Sequence, residues 1–266
     1  MKVVGTVGTV EHIASLSREG RLLADAAAEG GPDVEVPTCP GWRIRDLLAH
    51  TGRVHRWATD SVVARRTART ALGGAPGLDG EELLEWFREG HARLVAALRA
   101  APADLDCWTF LAAPSPLAFW ARRQAHETAV HRVDAESALG RRPASATPLG
   151  AAFSADGIDE LLCGFHARDR SRVRTGAPRV LRVRTTDTAD VWTVRLSREP
   201  ARTERAASPA CTDRPGESEA GHEVDCELSG TAERLYLTLW NRLPLDSLTV
   251  TGDPELARLW RETSAV

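Results

Sequence analysis

The chain has 266 residues, of which 42% are hydrophobic, enough for one large domain or for two ordinary domains with separate cores. Its formal net charge of −3 and its pI near 6.3 argue against a nucleic-acid-binding protein. No stretch approaches the roughly 20 consecutive apolar residues of a membrane-spanning helix, so we expect neither nucleic acid nor a membrane as partner.

The cysteines are odd in number, widely scattered, and contain no CxxC pair: Cys39, Cys107, Cys163, Cys211 and Cys226. This usage indicates a reducing cytoplasm and argues against both a disulfide framework and a zinc site built from thiolates. The apolar run before Glu11 is too short and too polar for a signal peptide, so we expect a cytoplasmic protein.

The first half of the chain carries apolar residues at helical spacing in four successive stretches. Breaks follow at Pro37–Pro40, in a Gly/Pro segment at 73–80, and in a loop at 107–116. The pattern predicts helices at about 10–29, 43–69, 81–101 and 116–139. Four amphipathic helices joined by loops are typical of a four-helix bundle, which we assign to residues 1–142.

The second half of the chain contains both the helical spacing of apolar residues and the two-residue alternation that is typical of strands. Helices are predicted at about 153–168, 231–242 and 254–263, and strands at 180–185, 191–196, 224–229 and 248–252, with a hairpin turn at 187–190. The polar segment 203–221 is predicted to be a loop, and Arg141 to Pro148 a linker. This order suggests a small α+β domain over residues 149–266.

A candidate metal site lies on the fourth predicted helix. Glu127 and His131 are four residues apart, which places a carboxylate and an imidazole on one helix face. His50, on the second predicted helix, is the third candidate ligand. Two histidines and one glutamate would leave a position open for water or substrate, as catalytic metal sites do, and this donor set favours zinc.

Simpler interpretations of the same residues remain open. Glu127 and His131 can form an ordinary surface pair, and His50 on an apolar stripe can be a hydrogen-bonded core histidine. His126–Glu127 also resembles the start of an HExxH metalloprotease motif. There the second histidine comes four residues after the first. His131 comes five after His126, about 140° around the helix, and this spacing argues against a metalloprotease.

Several other residues carry weaker signals. Cys39 stands near a helix N-terminus, where a thiol can be reactive, but its Pro and Gly neighbours favour a plain turn. Asp46 precedes His50 by one turn and Asp134 follows His131 by one turn, so either could orient a histidine or simply bind local groups. For Asp46 the capping role is favoured. His55 faces away from His50. Arg242, near a helix end, could bind a carboxylate or serve only the helix dipole.

Three segments together resemble the mycothiol-dependent maleylpyruvate isomerase family. They are Val36-Pro-Thr-Cys-Pro-Gly-Trp42, Asp46-Leu-Leu-Ala-His50 onward to Trp57, and Arg122 to Arg132; the C-terminal run Gly230 to Arg242 and Thr249 to Asp253 is also similar. The resemblance implies a DinB-like four-helix bundle followed by a sterol-carrier-like α+β domain. It also implies that His50, Glu127 and His131 bind the metal, and that Arg242 acts on substrate. Arg43 departs from the Ser or Thr cap that is frequent in relatives.

The resemblance further implies mycothiol as the thiol cosubstrate. A divalent metal, zinc by its ligands, would lower the pKa of this thiol so that a thiolate attacks a small electrophile. The product is then either a cis–trans isomer or, as a thiol S-transferase, a thiol adduct. We expect a monomer or homodimer whose partners are this electrophile and the thiol. The alternative is a non-catalytic small-molecule-binding protein on the same scaffold.

Overall fold

The computed structural model describes residues 7–141, 147–207 and 224–264. Residues 7–141 form one compact unit, and residues 147–207 with 224–264 belong to another. Each unit is described by itself. Most of the predicted linker 141–148 and most of the predicted loop 203–221 lie outside the described residues, as does Cys211.

The first unit is the predicted four-helix arrangement. Its helices are α1 (Thr9–Gly30), α2 (Ile44–Val63), α3 (Gly80–Ala100) and α4 (Pro116–Ala138). Helix α1 packs against α4 and α3, and α2 packs against α3 and α4. Leu16, Leu23, Leu47 and Phe87 have no exposed surface and belong to the core between these helices. The apolar stripes that predicted the helices are therefore the surfaces that bind them together.

The helix ends follow local chemistry. Ser115 accepts a hydrogen bond from the amide of Ala118 at 3.1 Å and caps α4, with Pro116 in the first turn. At α2, the side chain of Arg43 makes no cap, and Asp46 Oδ2 instead accepts from the Arg43 amide at 2.9 Å. Asp46 thus has the capping role that the sequence favoured for it. Helix α2 ends at Val63 rather than near residue 69, because Arg65 adopts a left-handed φ of 47°.

Helix α4 differs from the other three because almost every side is buried. Polar side chains are enclosed along with apolar ones, and each such group needs a partner. Arg132 shows how this is achieved, since its guanidinium donates to Glu19 at 2.8 Å and to Glu136 at 2.7 Å. A helix enclosed in this way can hold polar side chains in fixed positions within the bundle.

The second unit is a five-stranded mixed sheet with helices. Its strands are β1 (Arg179–Thr185), β2 (Asp190–Leu196), β3 (Arg202–Ala207), β4 (Cys226–Gly230) and β5 (Thr249–Gly252), in the order β3-β2-β1-β4-β5. The β1–β4 pair is parallel and the other pairs are antiparallel. Its helices are α5 (Ala151–Asp159), which continues as a π-helix (Glu160–Phe165), α6 (Ala232–Leu239) and α7 (Pro254–Thr263), with a 3-10 turn at Leu245–Ser247.

This unit confirms the predicted α+β class and corrects two details. Residues 203–207, predicted to be part of a loop, belong to β3, because their backbone pairs with β2 from Thr203 to Ala207. Helix α6 stops at Leu239 instead of reaching Arg242, because Asn241 has a φ of 63° and turns the chain. Both differences come from backbone geometry that the hydrophobic pattern does not record.

Candidate metal centre

The side chains of His50, Glu127 and His131 meet between α2 and α4. Both histidines present Nε2 to the same carboxylate oxygen, and each Nε2 lies 3.3 Å from Glu127 Oε1. One ligand atom from each residue lies within 4.8 Å of the other two. The structure therefore brings together the three residues that the spacing and the resemblance selected.

The three side chains lie at the edge of the bundle interior rather than in its centre. The exposed fractions are 31% for His50, 23% for Glu127 and 10% for His131. The side chains of His50 and Glu127 are thus partly open to solvent, whereas the side chain of His131 is almost fully buried. A metal ion held by these three side chains would keep an open coordination position on the side that faces solvent, as catalytic metal sites do.

The charges of the site are strongly coupled. Burial raises the pKa of Glu127, but hydrogen bonds from His131 and His50 outweigh it, and the net pKa is well below the usual value. Burial lowers the pKa of His131, but hydrogen bonds to Asp134 and Glu127 reverse this and raise the pKa to about 9. Without a metal, the site therefore holds an ionised carboxylate beside a protonated imidazole at neutral pH.

Arg123 was not selected from the sequence. It lies one turn before Glu127 on α4, and its Nη2 lies 3.4 Å from Glu127 Oε2. The side chain of Arg123 is 4% exposed. The four-residue spacing places Arg123 on the same helix face, so this spacing was the available signal. Both histidines contact Glu127 Oε1, and Arg123 places a positive charge beside the other oxygen, Oε2.

The far side of His131 is lined by a separate group of side chains. His131 Nδ1 lies 2.8 Å from Asp134 Oδ2, and Thr38 Oγ1 donates to Asp134 Oδ1 at 2.6 Å. Cys39 Sγ lies within 4.8 Å of ligand atoms of both His131 and Asp134. The indole of Trp42 stacks on the His131 ring, with centroids 6.3 Å apart and planes inclined by 22°. The segment 38–42, for which a plain turn was the favoured prediction, thus packs against His131 and Asp134.

The remaining histidines of the bundle point elsewhere. His126 is buried with its ring 5.8 Å from that of His12, away from the Glu127 carboxylate, as the helical spacing predicted. His55 Nε2 lies 2.9 Å from Thr128 Oγ1, and burial holds the pKa of His55 well below its usual value. Neither residue belongs to the three-residue cluster.

Arg242 lies in the second unit, in the turn after α6. Its Nη1 donates to the carbonyl oxygen of Trp240 at 2.7 Å, and its amide donates to the carbonyl of Leu237 at 2.7 Å. These bonds fix the turn. The catalytic role that the resemblance implies for Arg242 stays a prediction.

Together, these features define a class: a four-helix bundle with a solvent-open cluster of two histidines and a carboxylate, followed by a small mixed-sheet unit. Of the helices that the structure describes, none is both long enough and apolar enough to cross a membrane. The family model for the mycothiol maleylpyruvate isomerase N-terminal domain matches residues 13–136, and that for the C-terminal domain of the same family matches residues 152–259. The chain therefore belongs to the mycothiol maleylpyruvate isomerase family of enzymes.

Two solved structures share the fold of this protein. The crystal structure of the mycothiol-dependent maleylpyruvate isomerase is similar with a TM-score of 0.57, and that of a histidine-to-alanine mutant of it with a TM-score of 0.59. Each is 13% identical in sequence, and the match covers 92% of this chain and 93% of the other. At this identity the likeness shows a shared fold and nothing further. No curated protein matches the sequence significantly.

Proposed function

We propose that this protein is a metal-dependent enzyme that uses mycothiol to isomerise a small conjugated electrophile. The observation that carries the proposal is the convergence of His50 Nε2, His131 Nε2 and Glu127 Oε1 at a solvent-open position. Family membership supports the choice of thiol and of reaction type.

The donor set suits a divalent ion. Two imidazole nitrogens and one carboxylate oxygen, all within 4.8 Å of one another, are the ligand types and number of an open catalytic zinc site. His50, Glu127 and His131 would hold the ion, and the chemistry supplied there is to lower the pKa of a thiol so that it reacts as a thiolate at neutral pH. Glu127 contributes the negative charge that two neutral histidines lack.

The protein side chains prepare this position in several ways. His131 must release its Nε2 proton for Nε2 to act as a ligand, and the partly exposed Glu127 and His50 give that proton a route to solvent. Hydrogen bonds from His131 and His50 are the main reason that the pKa of Glu127 is low, and the positive charge of Arg123, 3.4 Å from Glu127 Oε2, lowers it further. The indole of Trp42 contacts both histidine rings, with ring centroids 5.0 Å from His50 and 6.3 Å from His131, and so covers one side of the site.

The reaction balances without any other reagent. A thiolate adds to the conjugated double bond and moves its π electron pair onto the conjugated carbonyl as an enolate. The former double bond is then a single bond about which the adduct rotates, and the electron pair returns when the thiolate leaves. Elimination of the same thiolate restores the double bond with the opposite geometry, so the thiol is not consumed. If the thiol instead remains attached to carbon, the protein is an S-transferase.

The test combines mycothiol, zinc and a panel of conjugated cis-dicarbonyl acids with the protein, and follows isomers by chromatography and adducts by mass spectrometry. We expect turnover that requires the thiol and is lost in His131→Ala and Glu127→Gln. Adducts in place of isomers would identify S-transfer. Binding of the acids or the thiol without any turnover would refute the proposal and favour the non-catalytic binding protein.

A further inference from the structure

His131 differs from His50 in how its ring is held. An imidazole has two nitrogens, and only the one without a proton can bind a metal. Which nitrogen this is depends on the partner of the other one. In this protein, His131 Nδ1 lies 2.8 Å from Asp134 Oδ2, while Nε2 points to Glu127 Oε1. A proton kept on Nδ1 leaves the Nε2 lone pair facing the candidate site.

Asp134 is itself fixed by the chain segment before α2. Its side chain has no exposed surface, and its second oxygen accepts a hydrogen bond of 2.6 Å from Thr38 Oγ1. Thr38 Oγ1 also lies 3.1 Å from Ser137 Oγ, which donates to the Asp134 carbonyl at 2.7 Å. Both carboxylate oxygens are therefore engaged, one by His131 and one by Thr38, so the carboxylate has little freedom to rotate.

Asp46 provides an internal comparison. Asp46 precedes His50 by four residues and Asp134 follows His131 by three, so each carboxylate lies about one helical turn from a histidine. Asp46 Oδ2 accepts from the Arg43 amide at 2.9 Å and caps α2. A carboxylate about one turn from a histidine is therefore a helix cap in α2 and a hydrogen-bond partner of the histidine in α4.

We propose that Asp134, held by Thr38, is the positioning residue of the site: it keeps the proton of His131 on Nδ1 and aims Nε2 at the position shared with His50 and Glu127. This inference rests on the proposed metal site. It extends the site beyond its three ligands to a segment, 38–42, that precedes α2 and is distant in sequence from α4.

The experiment measures Co²⁺ affinity and the visible Co²⁺ spectrum of the full-length metal-free protein, using competition with a chelator. Partners that orient a metal-binding histidine typically account for about 10–100-fold in affinity, so Asp134→Asn should weaken Co²⁺ binding by about this factor and alter the spectrum. Thr38→Val, which removes only the supporting bond, should have a smaller effect in the same direction, and Thr38→Ser should restore wild-type binding. Asp46→Asn, with the same charge change, is the matched control and should bind as the wild type does.

The outcomes separate this inference from the proposed function. Wild-type binding in both Asp134→Asn and Thr38→Val, together with loss of binding in His131→Ala, would overturn the positioning role and leave the metal site intact. An equal loss in Asp46→Asn would also overturn it, because charge alone would then explain the effect. Failure of the unaltered protein to bind Co²⁺ would overturn both. If Asp134→Asn does not fold, the Thr38→Val and Thr38→Ser pair decides.

Discussion

The charge network around His131 predicts how the stability of the bundle depends on pH when no metal is present. The pKa of His131 is raised to about 9, against 6.5 for an ordinary histidine, by hydrogen bonds to Asp134 and Glu127 that outweigh its burial. Between these two values the native state binds a proton that the unfolded state does not hold. Stability from this group is therefore complete below pH 6.5 and is lost as the pH rises to 9.

The size of this effect follows from the shift. A difference of about 2.5 units corresponds to about 3 kcal/mol, at 1.36 kcal/mol per unit. His91 makes stability change with pH in the opposite direction at lower pH, because burial lowers the pKa of His91 to about 4. The unfolded state then takes up a proton between pH 6.5 and 4, so stability from His91 is present above 6.5 and is lost on acidification. The metal-free bundle should be most stable near pH 6.5.

The assay is urea unfolding in the presence of a chelator at a series of pH values. Hydrogen exchange of peptides from α4 reports on the bundle separately from the second unit. His131→Gln should abolish the decline between pH 6.5 and 9, and His91→Phe should reduce the decline below 6.5. A flat profile from 6.5 to 9 in the unaltered protein, or an unchanged decline in His131→Gln, would refute the reasoning.

Three further predictions concern metal affinity, packing and substrate. Affinity for Zn²⁺ should rise with pH up to about 9, and about one proton should be released on binding near neutral pH, because His131 must lose a proton before it can bind the metal. Calorimetry in buffers of different ionisation enthalpy measures this proton release. An affinity that does not change with pH would contradict the prediction. Gly20→Ala should destabilise the bundle by about 1–3 kcal/mol despite the better helix propensity of Ala, because its Cβ would lie 2.2 Å from the His91 ring. Gly90→Ala, whose Cβ would meet the guanidinium end of the partly exposed Arg56 instead of a buried ring, should cost less in the same urea assay; equal costs would argue against the packing explanation. Arg242→Ala should lower thiol-dependent turnover at least about tenfold with metal content unchanged, and normal turnover would remove Arg242 from the site.

Much of the architecture could be predicted from the sequence because it depends on local periodicity. The apolar stripes located all four bundle helices, and alternation located the β1–β2 hairpin. The end of α2 and the strand β3 could not be predicted in this way. The first depends on a left-handed residue at Arg65, and the second on pairing with β2, which the polar composition of 203–207 does not reveal.

For the site, the sequence by itself determined which residues of α4 share a face. Four-residue spacing placed Glu127 and His131 together and excluded His126, since a helix turns by a constant angle per residue. Tertiary structure alone decided what these residues meet. It brought His50 to Glu127 across 77 positions of sequence and Thr38 to Asp134 across 96. It also gave Asp134 a histidine partner and Asp46 a helix cap, because a carboxylate one turn from a histidine binds whichever donor the fold places nearest.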